Sequence, residues 1–236
     1  MDIKIYKKSF EHSYALGIFP TVELITSKPE SVIKVLISSS YRADSDMDIF
    51  QLCKKYNIKT EINDKVINKI SSKENCFVSG VFSKYQCELT KGSHIVLVNP
   101  GNMGNMGTII RTLTGFGLND LAIISPGVDI FDPKVIRASM GAIFKINFKY
   151  YDSFNKYHES FGNHKLYTFM LDGAVSLKDV KHDRDESFSL IFGNEATGLD
   201  NSFANIGTNV IIKHTDRIDS LNLTIAAGIA MYQFCS

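Results

Sequence analysis

The chain has 236 residues, 44% of them hydrophobic, and its 26 basic and 25 acidic side chains give a net charge of +1. The length allows one large domain or two of ordinary size. The balanced charge excludes the strongly basic body of a nonspecific nucleic-acid binder. There is no stretch of about 18 apolar residues, and no apolar run follows the N-terminal lysines. We therefore expect a soluble, cytoplasmic protein without a membrane span.

The first 82 residues predict a small α/β unit. The predicted elements are a helix beginning near Phe19-Pro20, a strand at 32–38, a helix at 46–56, a short strand at 58–60, a helix at 64–70 capped by Asp64, and a strand at 76–82. A polar stretch at 83–93, rich in turn residues, then predicts a domain boundary. The predicted domains are residues 1–88 and 92–236.

From His94 onwards, apolar strands alternate with helices. The predicted strands are 94–98, 121–124, 146–150, 166–169, 188–192 and 210–212. One predicted helix ends at Phe116, a second begins at Asp132-Pro133, and a third runs from about 222 to 234. Continuous apolar strands separated by helices indicate a parallel sheet covered on both faces. Ligands bind such sheets beyond the C-terminal strand ends, and three polar segments fall there, after Val98, Phe192 and Ile212.

The first polar segment is a loop rich in Gly and Asn. Its glycines at 101, 104 and 107 are spaced G-x-x-G-x-x-G. This is neither the G-x-G-x-x-G of dinucleotide-binding folds nor a P-loop, which disfavours a nicotinamide-dependent oxidoreductase. A plain strand-to-helix turn without a ligand stays open. Arg111, one turn into the helix, can present a planar fork to a phosphate or a developing oxyanion, or can form a surface salt bridge.

The second and third segments carry polar groups just beyond strand ends. Gly193 permits close approach of a flat ligand. Glu195 can accept a hydrogen bond from a hydroxyl, balance a cationic ligand, or cap a helix. Ser220 and Asn222 can orient a ligand or act only as N-caps, each contributing about 1 kcal/mol. His214 lies in the third segment and is ambiguous. The scattered cysteines and the other histidines predict no metal site and no disulfide framework.

Together these segments resemble the three motifs of the SpoU (TrmH-type) family of RNA 2′-O-ribose methyltransferases, within the SPOUT superfamily. The matching residues are Asn105, Gly107 and Arg111 in the first motif, Gly193, Asn194, Glu195, Gly198 and Leu199 in the second, and Ser220, Leu221 and Asn222 in the third. The resemblance covers about residues 92–236. It departs from the family pattern at 212–216, where members often read Ile-Pro-Met-x-Gly.

The resemblance implies a C-terminal parallel-sheet SPOUT domain with a deep trefoil knot, preceded by a small α/β ribosomal-protein-like RNA-binding domain. It also implies S-adenosylmethionine as cofactor and a homodimer formed through the C-terminal domain. The implied function is methylation of a ribose 2′-hydroxyl in RNA, with 23S-type rRNA favoured and an antibiotic-resistance methyltransferase as a narrower version of the same function. A tRNA substrate and an RNA-binding protein without catalysis remain alternatives.

The resemblance also assigns site residues. The expected catalytic residues are Arg111, Asn105, Glu195, Ser220 and Asn222, and the expected cofactor-binding residues are Phe192, Gly193, Asn194, Gly198, Ile212, Leu221 and Asn222. A guanidinium cannot readily lose a proton. We therefore expect Arg111 to anchor a phosphate and stabilise a developing alkoxide, while a phosphate oxygen or a water takes the proton.

Overall fold

The computed structural model describes residues 3–43, 48–71, 75–172, 175–183 and 185–235. In chain order its strands and longer helices are β1 (His12–Leu16), α1 (Ile18–Ser27), β2 (Val32–Ile37), α2 (Ile49–Lys55), β3 (Thr60–Ile62), α3 (Asp64–Ile70), β4 (Val78–Ser83), β5 (His94–Val98), α4 (Met103–Gly115), β6 (Asp120–Ile124), α5 (Pro133–Ala138), β7 (Asn147–Tyr151), α6 (Phe154–Ser160), β8 (Lys165–Phe169), β9 (Val175–Ser176), β10 (Phe188–Phe192), β11 (Thr208–Ile211) and α7 (Leu223–Cys235).

The chain forms two compact units. The first contains residues 1–85 and 129–145, and the second contains 86–128 and 146–236. Segment 129–145 packs within the first unit, where Ser13 Oγ donates a 2.6 Å hydrogen bond to Phe131 O. The Phe82 ring meets the Phe144 ring edge-on, with centroids 5.2 Å apart. The predicted domain of residues 92–236 includes segment 129–145, which belongs to the first compact unit, and omits residues 86–91, which belong to the second.

The first unit is built on a four-stranded sheet in the order β1-β4-β2-β3. Strand β4 runs antiparallel to both β1 and β2, and β3 runs parallel to β2. The prediction that Asp64 caps α3 is wrong, because the side chain of Asn63 accepts the bond from Val66 N at 3.1 Å. The Asp64 carboxylate instead accepts hydrogen bonds from the hydroxyls of Ser38 and Ser39. Asp46 and Met47, at the start of the predicted helix 46–56, lie outside the described residues.

The second unit is built on a seven-stranded sheet in the order β7-β6-β5-β10-β8-β11-β9, and every neighbouring pair is parallel. All residues of β5, β6 and β10 are buried. Since successive side chains of a strand point to opposite faces, both faces of the sheet centre are covered. The predicted α/β class with a parallel sheet is confirmed.

Helices α4 and α7 pack against each other within this unit. Where they meet, a methyl group on Gly228 would lie 3.8 Å from Thr112 Cγ2, an ordinary van der Waals contact. Another group of side chains forms a separate apolar cluster that includes Val98, Tyr157 and Phe203. Among the described residues, no helix combines the length and the hydropathy that a membrane crossing requires.

Candidate active site

The C-terminal ends of β8, β10 and β11 surround a cavity of about 320 Å³ that also contacts the start of α7. This volume lies within the range of small-molecule sites. Of the residues expected to bind the cofactor, the cavity is lined by Phe192, Gly193, Asn194, Gly198, Ile212 and Leu221, whereas Asn222 is outside the lining. Of the residues expected to be catalytic, Glu195 and Ser220 line it, and Asn105 and Arg111 do not. The cofactor-binding and catalytic roles of all these residues stay predictions.

One wall of the cavity is apolar and flat. The buried ring of Phe192 stacks on the half-buried ring of Phe169, with centroids 4.5 Å apart and planes inclined by 16°. Val210 from β11 and Ala226 from α7 also line the cavity. Stacked rings and aliphatic side chains offer a surface suited to a planar heterocycle.

The loop after β10 depends on the absence of a side chain at Gly193. A Cβ there would lie 2.1 Å from the carbonyl carbon of Gly198 and 2.3 Å from Leu199 N. Two backbone hydrogen bonds, of 3.2 and 2.9 Å, join Asn194 to Gly198 and fold the loop back on itself. Gly198 has a φ of +68°, a conformation that glycine adopts without strain.

The side chain of Asn194 holds the second motif in place. Its Nδ2 donates to Asn99 O at 2.7 Å, and its Oδ1 accepts from Ala196 N at 2.9 Å and from Thr197 N at 3.3 Å. The amide therefore ties the loop after β10 to the loop after β5. The backbone N–H and carbonyl of Asn194 are also engaged, in the two hydrogen bonds with Gly198.

The carboxylate of Glu195 joins the second motif to the first. Its Oε2 accepts from Gly101 N at 3.0 Å, and its Oε1 accepts from Asn102 N and Asn105 Nδ2, each at 3.1 Å. We call these four residues the clasp. The negative charge of Glu195 lies next to the N-terminal end of α4, where a helix stabilises an anion. The sequence-based alternative that Glu195 caps a following helix is replaced by this contact with α4, which precedes it in the chain.

The repeated Asn-Met-Gly of the first motif divides two tasks between its asparagines. Asn102 is the N-cap of α4, and its Oδ1 accepts from Asn105 N at 3.0 Å. Asn105 directs its own side chain to Glu195. The helix that carries Arg111 is thus anchored at its first turn by both asparagines.

Arg111 lies on the exposed side of α4. The opposite side of the helix is buried and carries Met106, Ile109, Ile110 and Leu113. Arg111 makes no hydrogen bond or ion pair with any residue that the structure describes. The alternative of an intramolecular surface salt bridge is therefore not seen in the described part of the chain, and the guanidinium is accessible to an outside ligand.

Asn222 is engaged as the cap of α7. Its backbone carbonyl accepts from Ile225 N and Ala226 N at 3.0 Å, and its Oδ1 accepts from Thr224 N at 2.9 Å and from Thr224 Oγ1 at 2.7 Å. Ser220 is exposed at the edge of the cavity. Within the described ranges, no group of three His, Cys, Asp or Glu side chains is placed to hold a metal ion.

Sequence reasoning assigned no role to several lining residues, among them Phe169 and His214. Phe169 ends β8, a strand that carries none of the three motifs. The available signal was the position of this aromatic residue at the C-terminal end of a predicted parallel strand. His214 lies in the third motif, but spacing alone could not show that it lines the cavity.

A parallel α/β sheet with a cavity at its C-terminal strand ends is the layout of a ligand-binding α/β domain. The model of the SpoU rRNA Methylase family matches residues 92–232. This match covers more than half of the chain, which therefore belongs to the SpoU rRNA methylase family. The family resemblance predicted from the three motifs is confirmed.

Named relatives and solved structures agree with this membership. Over 150 residues the chain is 31% identical to the 23S rRNA (adenosine(1067)-2′-O)-methyltransferase of Streptomyces laurentii, covering 62% of this chain and 55% of that protein. It is 25% identical to the 23S rRNA (guanosine(2553)-2′-O)-methyltransferase of Bacillus subtilis, covering 89% and 84%. An AdoMet-bound rRNA methyltransferase of Sinorhizobium meliloti superposes with a TM-score of 0.78 at 23% identity, covering 95% and 87%. The chain thus spans about half the length of the Streptomyces relative and most of the Bacillus relative.

Proposed function

We propose that this protein transfers a methyl group from S-adenosylmethionine to a ribose 2′-hydroxyl of 23S-type ribosomal RNA. The observation that carries the proposal is the clasp, through which residues from the first and second motifs meet beside the cavity. Family membership and the names of the two ribosomal RNA methyltransferases from Streptomyces laurentii and Bacillus subtilis support the same reaction.

The cavity fits the proposed cofactor in both shape and chemistry. The stacked Phe169 and Phe192 rings would hold the adenine, and the backbone of 193–199 and of Ile212 would supply polar contacts. The absence of a side chain at Gly193 lets the backbone of 193–199, which lines the cavity, fold back on itself. When bound, S-adenosylmethionine supplies an electrophilic methyl group on a sulfonium. Neither metal nor redox chemistry is needed for such a transfer.

The protein's own residues would orient the attacking hydroxyl and stabilise the charge that develops on it. The exposed Arg111 would bind a backbone phosphate of the RNA and stabilise the developing alkoxide. It is a poor proton acceptor, so the hydroxyl proton would pass to a phosphate oxygen or a water. Glu195 would act by holding Asn105 and the start of α4, since both of its oxygens already accept hydrogen bonds. Ser220 would orient the hydroxyl at the cavity edge.

We further propose a homodimer formed through the C-terminal domain. Ile225, Ile229 and Tyr232 lie on one side of α7 and are 54%, 41% and 63% exposed. A contiguous apolar stripe of this kind is suited to burial against a second copy. Ile229→Glu should therefore give a monomer in sedimentation, whereas a wild-type protein that is already monomeric at micromolar concentration would contradict the proposal.

We also propose the trefoil knot and the N-terminal RNA-binding role that the family resemblance implies. The last strand, β11, lies between β8 and β9, two strands that precede it in the chain, instead of at a sheet edge. This position supports a C-terminal segment that passes between earlier parts of the fold, as a knot requires. The compact first unit, with its own mixed sheet, supports a separate RNA-contacting role for residues 1–88. A cytoplasmic location is part of the same proposal.

Transfer of labelled methyl from S-adenosylmethionine to unmodified total RNA tests the reaction. The RNA is fractionated afterwards into transfer RNA and large ribosomal RNAs, and Arg111→Ala is assayed in parallel. We expect label in the large-subunit ribosomal RNA and its loss in the variant. Label confined to transfer RNA would favour the alternative substrate. Absence of both cofactor binding and label in any RNA would count against catalysis and favour an RNA-binding protein.

A further inference from the structure

His214 lines the cavity but belongs to none of the groups to which a role has been assigned. It lies just beyond β11 and is half-buried. Its Nδ1 is 3.0 Å from the backbone carbonyl oxygen of Ile212. A carbonyl oxygen can only accept a hydrogen bond, so Nδ1 must carry the proton. In the neutral ring the opposite atom, Nε2, is then an acceptor.

The Nε2 atom has no hydrogen-bond partner within the part of the chain that the structure describes. Two other polar side chains of the lining are already engaged: Asn194 bonds to Asn99, Ala196 and Thr197, and the Glu195 oxygens accept three bonds. His214 therefore offers a fixed acceptor that the protein itself does not use.

The position of His214 indicates which part of a ligand would meet this acceptor. The hydrogen bond to Ile212 holds the imidazole beside the end of β11. Val210 of β11 pairs in register with Phe169 of β8, whose ring stacks on Phe192 to form the flat wall of the cavity. An adenine ring placed on this wall would carry its own polar edge and the attached ribose towards the surrounding strand ends.

Resting on the proposed function, we infer that His214 recognises the adenosyl part of S-adenosylmethionine, with Nε2 accepting a hydrogen bond from an N–H or O–H of that part. The residue lies in the stretch where this chain departs from the usual third-motif pattern. Its side chain therefore adds a contact that the shared motifs do not specify. His214 is in this sense a ligand-recognition residue, distinct from Arg111 and Ser220.

Two substitutions separate the two ring nitrogens. In His214→Asn the amide can take the place of Nδ1 and keep the bond to Ile212, but nothing replaces Nε2. In His214→Gln the longer amide can place its oxygen near the position of Nε2. The full chain is titrated by calorimetry, without RNA, with S-adenosylhomocysteine and with 5′-methylthioadenosine, which lacks the amino-acid part. The unfolding midpoint of each variant is measured as a check on folding.

We expect His214→Asn to lower the affinity for both ligands by about fivefold to tenfold, which is the effect of one hydrogen bond. His214→Gln should restore most of this affinity. Binding of both ligands by His214→Asn within about twofold of wild type would overturn the inference. Equal losses in both variants would overturn it as well, because they would indicate a structural role. A lower affinity for S-adenosylhomocysteine, with that for 5′-methylthioadenosine unchanged, would assign the contact to the amino-acid part and refute the adenosyl contact. Absence of binding by the wild-type protein would instead refute the proposed function, and the inference with it.

Discussion

Glu195→Gln is the substitution that best tests whether the clasp positions the first motif. The carboxylate accepts three hydrogen bonds, from Gly101 N at 3.0 Å and from Asn102 N and Asn105 Nδ2 at 3.1 Å. A glutamine amide has one acceptor oxygen, so its NH₂ group must face at least one N–H donor. If the oxygen stays near Asn102 and Asn105, the bond to Gly101 is lost and the other two lose their charge assistance.

The size of the effect follows from these contacts. A hydrogen bond to a charged group contributes about 1.5–3 kcal/mol when it is shielded from water. Glu195 is exposed, so we take a smaller total of about 1–2 kcal/mol for the clasped loop. Each 1.4 kcal/mol corresponds to about a tenfold change in population. We therefore expect the rate of methyl transfer to fall by about tenfold, because α4 and Arg111 are less often in place.

The assay is single-turnover methyl transfer with saturating cofactor and RNA, together with calorimetric titration of S-adenosylhomocysteine. The matched control is Glu159→Gln, which removes the same charge from an exposed side chain whose one ion pair among the described residues is with Lys156 on α6. The control should keep the wild-type rate. A Glu195→Gln rate within about twofold of wild type would refute positioning by the clasp. A loss beyond about a thousandfold, with normal cofactor affinity, would indicate that Glu195 takes part in the chemistry directly.

Three further predictions concern Arg111, Gly193 and His94. Arg111→Ala should lower the rate of methyl transfer by about a hundredfold or more. The affinity for S-adenosylhomocysteine should stay unchanged, because Arg111 is outside the cavity lining. Near-normal turnover would rule out the proposed role of Arg111. Gly193→Ala should abolish ligand binding in calorimetry, because the added methyl would lie 2.1 Å from a backbone carbon of Gly198, whereas Gly115→Ala, which meets nothing within 4 Å, should bind normally. Burial, aided by the neighbouring His164, lowers the pKa of His94 to about 4. The folded state then binds fewer protons than an unfolded chain with a histidine pKa near 6.5. Urea unfolding should therefore show full stability above about pH 6.5 and a loss of up to about 1.4 kcal/mol per pH unit towards pH 4. His94→Gln should flatten this pH dependence, and equal free energies of unfolding at pH 5 and pH 7 would contradict the prediction.

The sheet of the second unit could be predicted because its signal is local and strong. Strands β5, β6 and β10 are continuous apolar runs, and each is buried along its whole length. Helix α6 and strands β1 and β9 escaped prediction, whereas the equally short helices α2 and α3 did not. Strand β9 has only two residues, which is too few to give a usable period. Strand β1 begins with the polar pair His12-Ser13.

The packing of segment 129–145 shows the limit of local reasoning. The start of its helix was predicted correctly, since the Asp132 side chain accepts from Lys134 N at 2.8 Å and Pro133 follows as the first helical residue. These signals describe the helix but not its partner. Contacts such as Ser13 with Phe131 join residues 118 positions apart, and no local pattern encodes them.

The candidate site divides in the same way. The loops were predictable because each motif is contiguous and follows a strand. The clasp was not, because Glu195 and Asn105 are 90 positions apart. The tautomer of His214 was equally inaccessible, since it depends on a backbone carbonyl that only the folded chain places beside the ring.

Locating the transferred methyl group by alkaline hydrolysis tests the central claim most directly. Alkali cleaves RNA when a 2′-hydroxyl attacks the neighbouring phosphate, so a 2′-O-methylated ribose protects its linkage and leaves an alkali-stable dinucleotide. Large-subunit ribosomal RNA treated with this protein and methyl-labelled S-adenosylmethionine should release its label in such dinucleotides. Label released in mononucleotides would show methylation of a base and would contradict the proposed reaction.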